Sequence, residues 1–290
     1  MTPNEYCEKE FAPAGSNMYY ATILLPSNKK RALISMYALH KKIENILSDC
    51  HTMTVAYSKI AWWKNQIYRM QKEMSDHPIT KELSLHIKEY PFICDELIYF
   101  INNIENILEK DFFYNLKDLY NNYWTTNRVI CGLFNKVFCN DDDNAAIYNE
   151  KIGIAIQLTN SIRNIYINAK NGIIFLPNED LDKFNLKIKD ISNGENSENF
   201  KKFIKFQVKR AKDLYRDAIT DINSYNYKKY RESFAVAGIN YAILEKIDSF
   251  NSDFSNEMVS ITPIKKLWIS WRALNSNGKS FIKKLSPLQI

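Results

Sequence analysis

Two polar runs interrupt otherwise apolar stretches of this chain. One is Glu44 to Ser48 within KKIENILSD, and the other is Asn164 to Asn168 within QLTNSIRNIYIN. In each run, positions i and i+4 fall on one face of a helix, so both side chains can point into one space. This is the geometry of a paired site facing a helical cavity. Solvated or core-edge polar residues have the same spacing, so spacing leaves both readings open. Other reactive residue types form no such pattern. His40, His51, His77 and His86 make no constellation, and Cys7, Cys50, Cys94, Cys131 and Cys139 are scattered, which suits reduced thiols. The run Asp141-Asp142-Asp143 reads as a loop and helix cap before it reads as a metal site.

The elements that must position the two runs are helices. A stop at Pro26 and an N-cap at Ser27 open a helix that carries Leu33, Ile34, Tyr37 and Ala38 and should reach about Asp49. A second should span about 54–74 and enclose Trp62-Trp63. A short one should follow His77-Pro78 to about Glu89. Pro91 opens the next, with Ile93, Leu97, Ile101, Ile104 and Leu108 on one face. Another should run over about 116–138. The segment of about 145–169, with Ile152, Ile154, Ala155, Ile156 and Leu158, has few polar positions and reads as the buried centre of the fold. Asn171-Gly172 ends it, and a loop with a helical turn after Pro177 follows. The polar stretch 191–197 reads as a surface linker. Helices resume over about 198–222, 232–250 and from Thr262-Pro263 onward. No strand alternation, repeat or composition shift breaks the pattern, so the expectation is one all-α domain over 1–290 of about ten helices, with a basic tail at 275–290.

Composition agrees. Among 290 residues, Gly (7) and Pro (8) are scarce, which argues against turn-rich sandwiches or barrels and against a Rossmann core with Gly-rich loops, and favours helices. Asn makes up roughly a tenth of the chain. The net charge of +6 permits diphosphates, lipid headgroups or nucleic acid without demanding any, and no nucleic-acid partner is expected. The start MTPNEYCEKEF lacks a basic and an apolar leader region, and no apolar run approaches membrane-spanning length. The expectation is a cytoplasmic protein, with membrane contact as an addition. Trp62-Trp63, Trp268 and Trp271 read first as packing aromatics. The alternative for the last two is an interfacial anchor, because Lys265, Lys266 and Arg272 adjoin them and Lys279, Lys283 and Lys284 follow.

At the two polar runs the chain resembles the squalene/phytoene synthase family. GSNMYYATILLP followed by KKRALISMYAL is similar to the family's opening Ser-x-x-Tyr-Tyr segment and first long helix. From Ile152 to Pro177, the residues Gly153, Gln157, Asn160, Arg163, Phe175 and Pro177 stand where the family signature wants them. SITPIKKLWISWR and the phasing of AWWKNQIYRM are similar to the bacterial branch that makes presqualene diphosphate in hopanoid pathways.

The resemblance implies an isoprenoid-synthase fold, a helical bundle around a central cavity. It implies head-to-head joining of two farnesyl diphosphates to presqualene diphosphate or squalene, with Mg²⁺ bridging diphosphate to carboxylates, and NADPH where squalene is formed. It also implies site residues. Ser16, Lys41, Gln157, Asn160, Arg163 and Lys170 would contact substrate, and Tyr19, Tyr20 and Tyr123 would be catalytic or cavity-edge tyrosines. The family's two Asp-x-x-x-Asp metal motifs fall on Glu44 and Ser48, with Asn45 and Asp49 beside them, and on Asn164 and Asn168.

Those last positions depart from the family. Asn164 and Asn168 are neutral amides and Ser48 has no carboxylate. A family arginine falls on Ile173. Lys41 stands for an arginine and cannot reproduce its bidentate contact. Near Tyr123 and Gly132, the small pair that should thin the cavity wall is Arg128-Val129. Two functions therefore follow from the resemblance: a prenyltransferase with a diverged site, or a non-catalytic relative that binds an isoprenoid or a protein partner, as in the family's assembly-factor-like branch.

Overall fold

The computed structural model describes the chain except residues 51, 92, 109–114, 122, 124–142, 173, 195, 221–229, 250–258, 276–280 and 282–290, and the side chains of 48, 143–146, 231 and 232. Every regular element among the described residues is helical.

Seven helices are bounded among the described residues up to Leu108. These are α1 (Pro3–Phe11), α2 (Asn17–Thr22), α3 (Ser27–Glu44), α4 (Ile46–Asp49), α5 (Met53–Gln71), α6 (Pro78–Ser84) and α7 (Ile93–Leu108). The first two were not foreseen, although the sequence signals both. Thr2 and Glu5 form a reciprocal capping box: Thr2 Oγ1 accepts from the Glu5 N–H at 3.2 Å, and Glu5 Oε2 accepts from the Thr2 N–H at 2.7 Å. Ser16 caps α2 by accepting from the Tyr19 N–H at 3.0 Å.

Ser27 does not cap α3 as expected. Pro26, with φ −54° and ψ 140°, occupies the cap, and Ser27 is already inside the helix. Helix α6 starts at Pro78, where His77 Nδ1 accepts from the Ile79 N–H at 3.2 Å. Residues 116–121 and Tyr123 are helical, and the rest of the expected 116–138 helix lies outside the described residues.

The C-terminal half follows with α8 (Asp143–Arg163), α9 (Ile165–Lys170), α10 (Asn178–Lys183), α11 (Ile188–Ser192), α12 (Glu198–Thr220), α13 (Arg231–Ser249) and α14 (Pro263–Asn275). Helix α11 replaces part of the expected 191–197 linker. Two long helices were foreseen unbroken, and each breaks at its polar run. The first turns at Asn45, between α3 and α4, and the second at Asn164, between α8 and α9. The breaks are shallow. The Asn164 N–H still reaches the Asn160 carbonyl and the Asn168 N–H the Asn164 carbonyl, both at 2.9 Å.

Helix α8 is central, as its composition suggests. It packs on α12 and α13, while α13 packs on α2 and α14. On the other side α3 packs on α1, α6 and α7, and α5 packs on α7. Buried side chains from α1 through α14 join one apolar core. Asp180 pins α10 to α12 from within it: its carboxylate accepts from Gln207 Nε2 at 2.8 Å and from Arg210 Nη2 at 3.2 Å, and Arg210 Nη1 also donates to it.

Candidate functional site

A cavity of about 410 Å³ lies between α2, α3, α8 and α13. Leu33, Ile152, Ile156, Val236 and Ile239 are among its apolar lining residues. One end is polar and brings together what the sequence keeps 113 or more positions apart. Lys41 and Glu44 face it from α3, and Gln157, Asn160 and Arg163 face it from α8, followed by Asn164 and Asn168. The α8 positions advance by three or four residues, so one helix face carries them all.

Glu44 is the hub. Its Oε2 accepts from Lys41 Nζ at 2.5 Å and its Oε1 from Gln157 Nε2 at 2.9 Å. Burial by itself would raise its carboxyl. The ammonium of Lys41, His40 nearby, and the hydrogen bonds from Lys41 and Gln157 outweigh burial and bring the group down to about 2. Lys41 is the mirror image: burial works against its charge, and Glu44 overrides burial and raises it above the ordinary lysine value. Both groups are therefore charged at neutral pH and committed to each other.

Arg163 lines the same end and has no carboxylate partner among the described residues. Its Nε points to Asn164 Oδ1 at 3.4 Å, and burial lowers its value from the ordinary one. Tyr123 is buried in the wall. Its hydroxyl donates to the Phe175 carbonyl and lies 2.7 Å from Ser161 Oγ, which then donates to it; burial raises its value. That pair of bonds fastens residue 123 to α8 and to the loop before α10.

Asn45 also lines the cavity, whereas Ser16, Tyr19, Tyr20, Asp49 and Lys170 are not among its described lining residues. Ser16 is the cap of α2, and Tyr19 and Tyr20 meet edge to face at 5.0 Å, although Asn17, Met18 and Ala21 of the same helix do line it. Lys170 is exposed at the end of α9 and Asp49 is exposed on α4. Ser48 lies in α4, but its side chain is outside the described residues, as are Arg128, Val129, Gly132 and Ile173.

Sequence reasoning also missed residues. His40 lines the cavity, stacked on Phe100 at 4.3 Å, and Tyr37 lies one helical turn before Lys41. Asn149, Ser233 and Asn240 add polar groups deeper in, with Ser233 Oγ donating to Asn149 Oδ1 at 3.1 Å. The i, i+3 and i+4 steps from Glu44 back to Lys41 and His40 could have found the first of these.

These residues do not fit a cluster of divalent cations. Mg²⁺ is held by charged oxygen ligands with room for waters. Among the described lining residues Glu44 is the one carboxylate, and both its oxygens are taken by Lys41 and Gln157. The facing positions Asn164 and Asn168 offer neutral amides. No group of three or more acidic, His or Cys residues among the described residues could hold a metal.

A bundle whose described regular elements are all helical, around a cavity lined by apolar and polar side chains, defines the class: the isoprenoid-synthase type of all-α fold. The sequence profile of the squalene/phytoene synthase family matches residues 11–265, and the chain belongs to that family. Family members are prenyltransferases that bind prenyl diphosphates and are generally Mg²⁺-dependent. The chain is 22% identical over 275 residues to a 15-cis-phytoene synthase of Synechocystis sp., a match that covers 91% of this chain and 82% of the relative. A chloroplastic phytoene synthase of an Oncidium hybrid cultivar is 22% identical over 91% of this chain and 64% of its own. Among solved structures, a dehydrosqualene synthase bound to a ligand superposes with a TM-score of 0.77, covering 97% of both chains at 16% identity. A squalene synthase from Alicyclobacillus acidocaldarius gives 0.68 over 86% of this chain and 94% of that one, at 17% identity.

Proposed function

We propose that this chain is a non-catalytic member of the family, holding an isoprenoid in the cavity without ionising a prenyl diphosphate there. One observation carries the reading. Glu44, the one carboxylate among the described lining residues, is tied to Lys41 and Gln157, and amides stand opposite it at Asn164 and Asn168. Departure of a diphosphate from a prenyl carbon leaves a carbocation and a multiply charged anion. Family chemistry neutralises that anion with metal ions held by carboxylates. Here the protein side of that clamp is an internal ion pair. The apolar part of the cavity lining still suits a prenyl chain, and Arg163 adds a positive charge that has no carboxylate partner among the described residues.

Calorimetric titration of the full chain with a non-hydrolysable farnesyl diphosphate analogue tests this. Equal affinity with and without Mg²⁺ is expected. Affinity that rises with Mg²⁺ contradicts the reading. Putting aspartate at Glu44, Ser48, Asn164 and Asn168 should restore the Mg²⁺ dependence.

A second reading is a working head-to-head prenyltransferase acting on farnesyl diphosphate, with presqualene diphosphate as product and NADPH needed for squalene. What favours it is the retained set Gln157, Asn160, Arg163 and Tyr123, all of which line the cavity. A protein partner in place of, or beside, a lipid ligand belongs to the first reading.

A further inference from the structure

Helix α14 is turned inside out. The residues it buries are Lys266, Ser270 and Ala273, with Lys266 5% and Ser270 0% exposed. The residues it presents to solvent are Ile264 (82% exposed), Leu267 (40%), Trp268 (51%) and Trp271 (53%). Those four recur at i, i+3, i+4 and i+7, so they form one continuous apolar stripe. A surface helix that only completes a core does the reverse. The expectation that Trp268 and Trp271 are packing aromatics is therefore wrong.

The inverted orientation is fixed on the inner side. Lys266 Nζ donates to the Gly15 carbonyl at 2.8 Å, which ties α14 to the start of α2. Gly238 of α13 lets the helix approach closely, since a Cβ there would lie 2.8 Å from Ile269 Cγ2. The apolar stripe therefore cannot be buried by rolling the helix without breaking these contacts.

Charge says what covers the stripe. Lys265 and Arg272 are exposed on one shoulder of it, about 90° around the helix, and the Arg272 guanidinium lies 4.5 Å over the Trp268 ring. From Met258 to Ile290 the sequence has six Lys and Arg and no Asp or Glu. A stripe of Trp, Leu and Ile flanked by cations, with no carboxylate, complements an anionic surface that has an apolar layer beneath it. No described helix is long and apolar enough to cross a membrane, so the contact lies in the plane of the interface.

We infer that the outer face of α14 docks the protein on an anionic lipid bilayer, with Ile264, Leu267, Trp268 and Trp271 in the acyl boundary and Lys265 and Arg272 at the headgroups. The inner face of α14 touches α2, whose Asn17, Met18 and Ala21 line the cavity. The docked surface is thus one helix away from the space where a lipid-soluble ligand fits. The inference stands independently of whether that ligand is turned over.

Flotation of the full chain with vesicles tests it. The wild type should float with phosphatidylglycerol–phosphatidylcholine vesicles and much less with phosphatidylcholine alone, and salt should weaken the binding. Replacing Trp268 and Trp271 together by Ser should lower the bound fraction by about tenfold or more. Lys265→Gln with Arg272→Gln should remove the preference for anionic vesicles. All these side chains are exposed, so the thermal melts of both variants should match the wild type. Failure of the wild type to float overturns the inference, and so does undiminished flotation of the Trp variant. A wild-type dimer in light scattering that the Trp substitutions dissociate also overturns it, because a second copy would then be the occupant.

Discussion

At the scale of single residues, the decisive contact is between Lys41 and Glu44. A buried ion pair is weak evidence of net stability, but removing one partner strands the other. Glu44→Gln should therefore destabilise the protein by about 2–4 kcal/mol in denaturant melts at pH 7, because the Lys41 ammonium loses its partner in a partly dry site. The pH dependence has a definite direction. The Glu44 carboxyl lies at about 2 when folded, against 4.5 as the ordinary value. The unfolded state therefore binds the extra proton first as pH falls. The stability Glu44 contributes is fully present above about pH 4.5 and lost toward pH 2. The gap between wild type and Glu44→Gln should close over that window, and a gap that persists at its lower end would contradict the pairing. Lys41→Met, which keeps the stem and removes the charge, should free Glu44 and move its titration upward in carboxyl-resolved NMR.

At the scale of elements, Gly238 and Asp180 hold the halves of the C-terminal region together. Gly238→Ala puts a methyl against the stiff, β-branched Ile269, and should cost about 1–3 kcal/mol by overpacking. Arg210→Ala leaves the Asp180 carboxylate buried with Gln207 as its one donor among the described side chains, and should cost about 3 kcal/mol, loosening α10 and with it the loop that receives the Tyr123 hydrogen bond. Thermal melts of the two variants measure both effects. Much of the element order could be read from periodicity and stop signals. His77-Pro78, Asn171-Gly172 and Thr262-Pro263 mark boundaries that the structure keeps. The breaks at Asn45 and Asn164 were not legible, since apolar spacing runs through both without a Pro or Gly. Of the site, the Lys41–Glu44 step lies within one turn and can be read locally. The Gln157–Glu44 bond crosses 113 positions and only the assembled bundle supplies it. The orientation of α14 was equally hidden, because an amphipathic pattern says which side is apolar and not which side faces the protein.

At the scale of the whole molecule, the family's helical bundle surrounds a cavity whose one carboxylate among the described lining residues, Glu44, is paired with Lys41. The fold around the cavity is held mainly by apolar packing along α3, α8, α12 and α13, so a change of one polar residue at one end lowers its stability without dismantling it. Carboxylates can therefore become amides without loss of the bundle. The same independence explains why likeness to phytoene and squalene synthases in fold says little about turnover. The direct measurement is phosphorus NMR of farnesyl diphosphate held for hours with a stoichiometric amount of the full chain, Mg²⁺ and NADPH. The prenyl diphosphate signals should persist with no inorganic diphosphate above the protein-free control. Growth of inorganic diphosphate together with a longer lipid product would contradict the account and assign the chain to the working synthases.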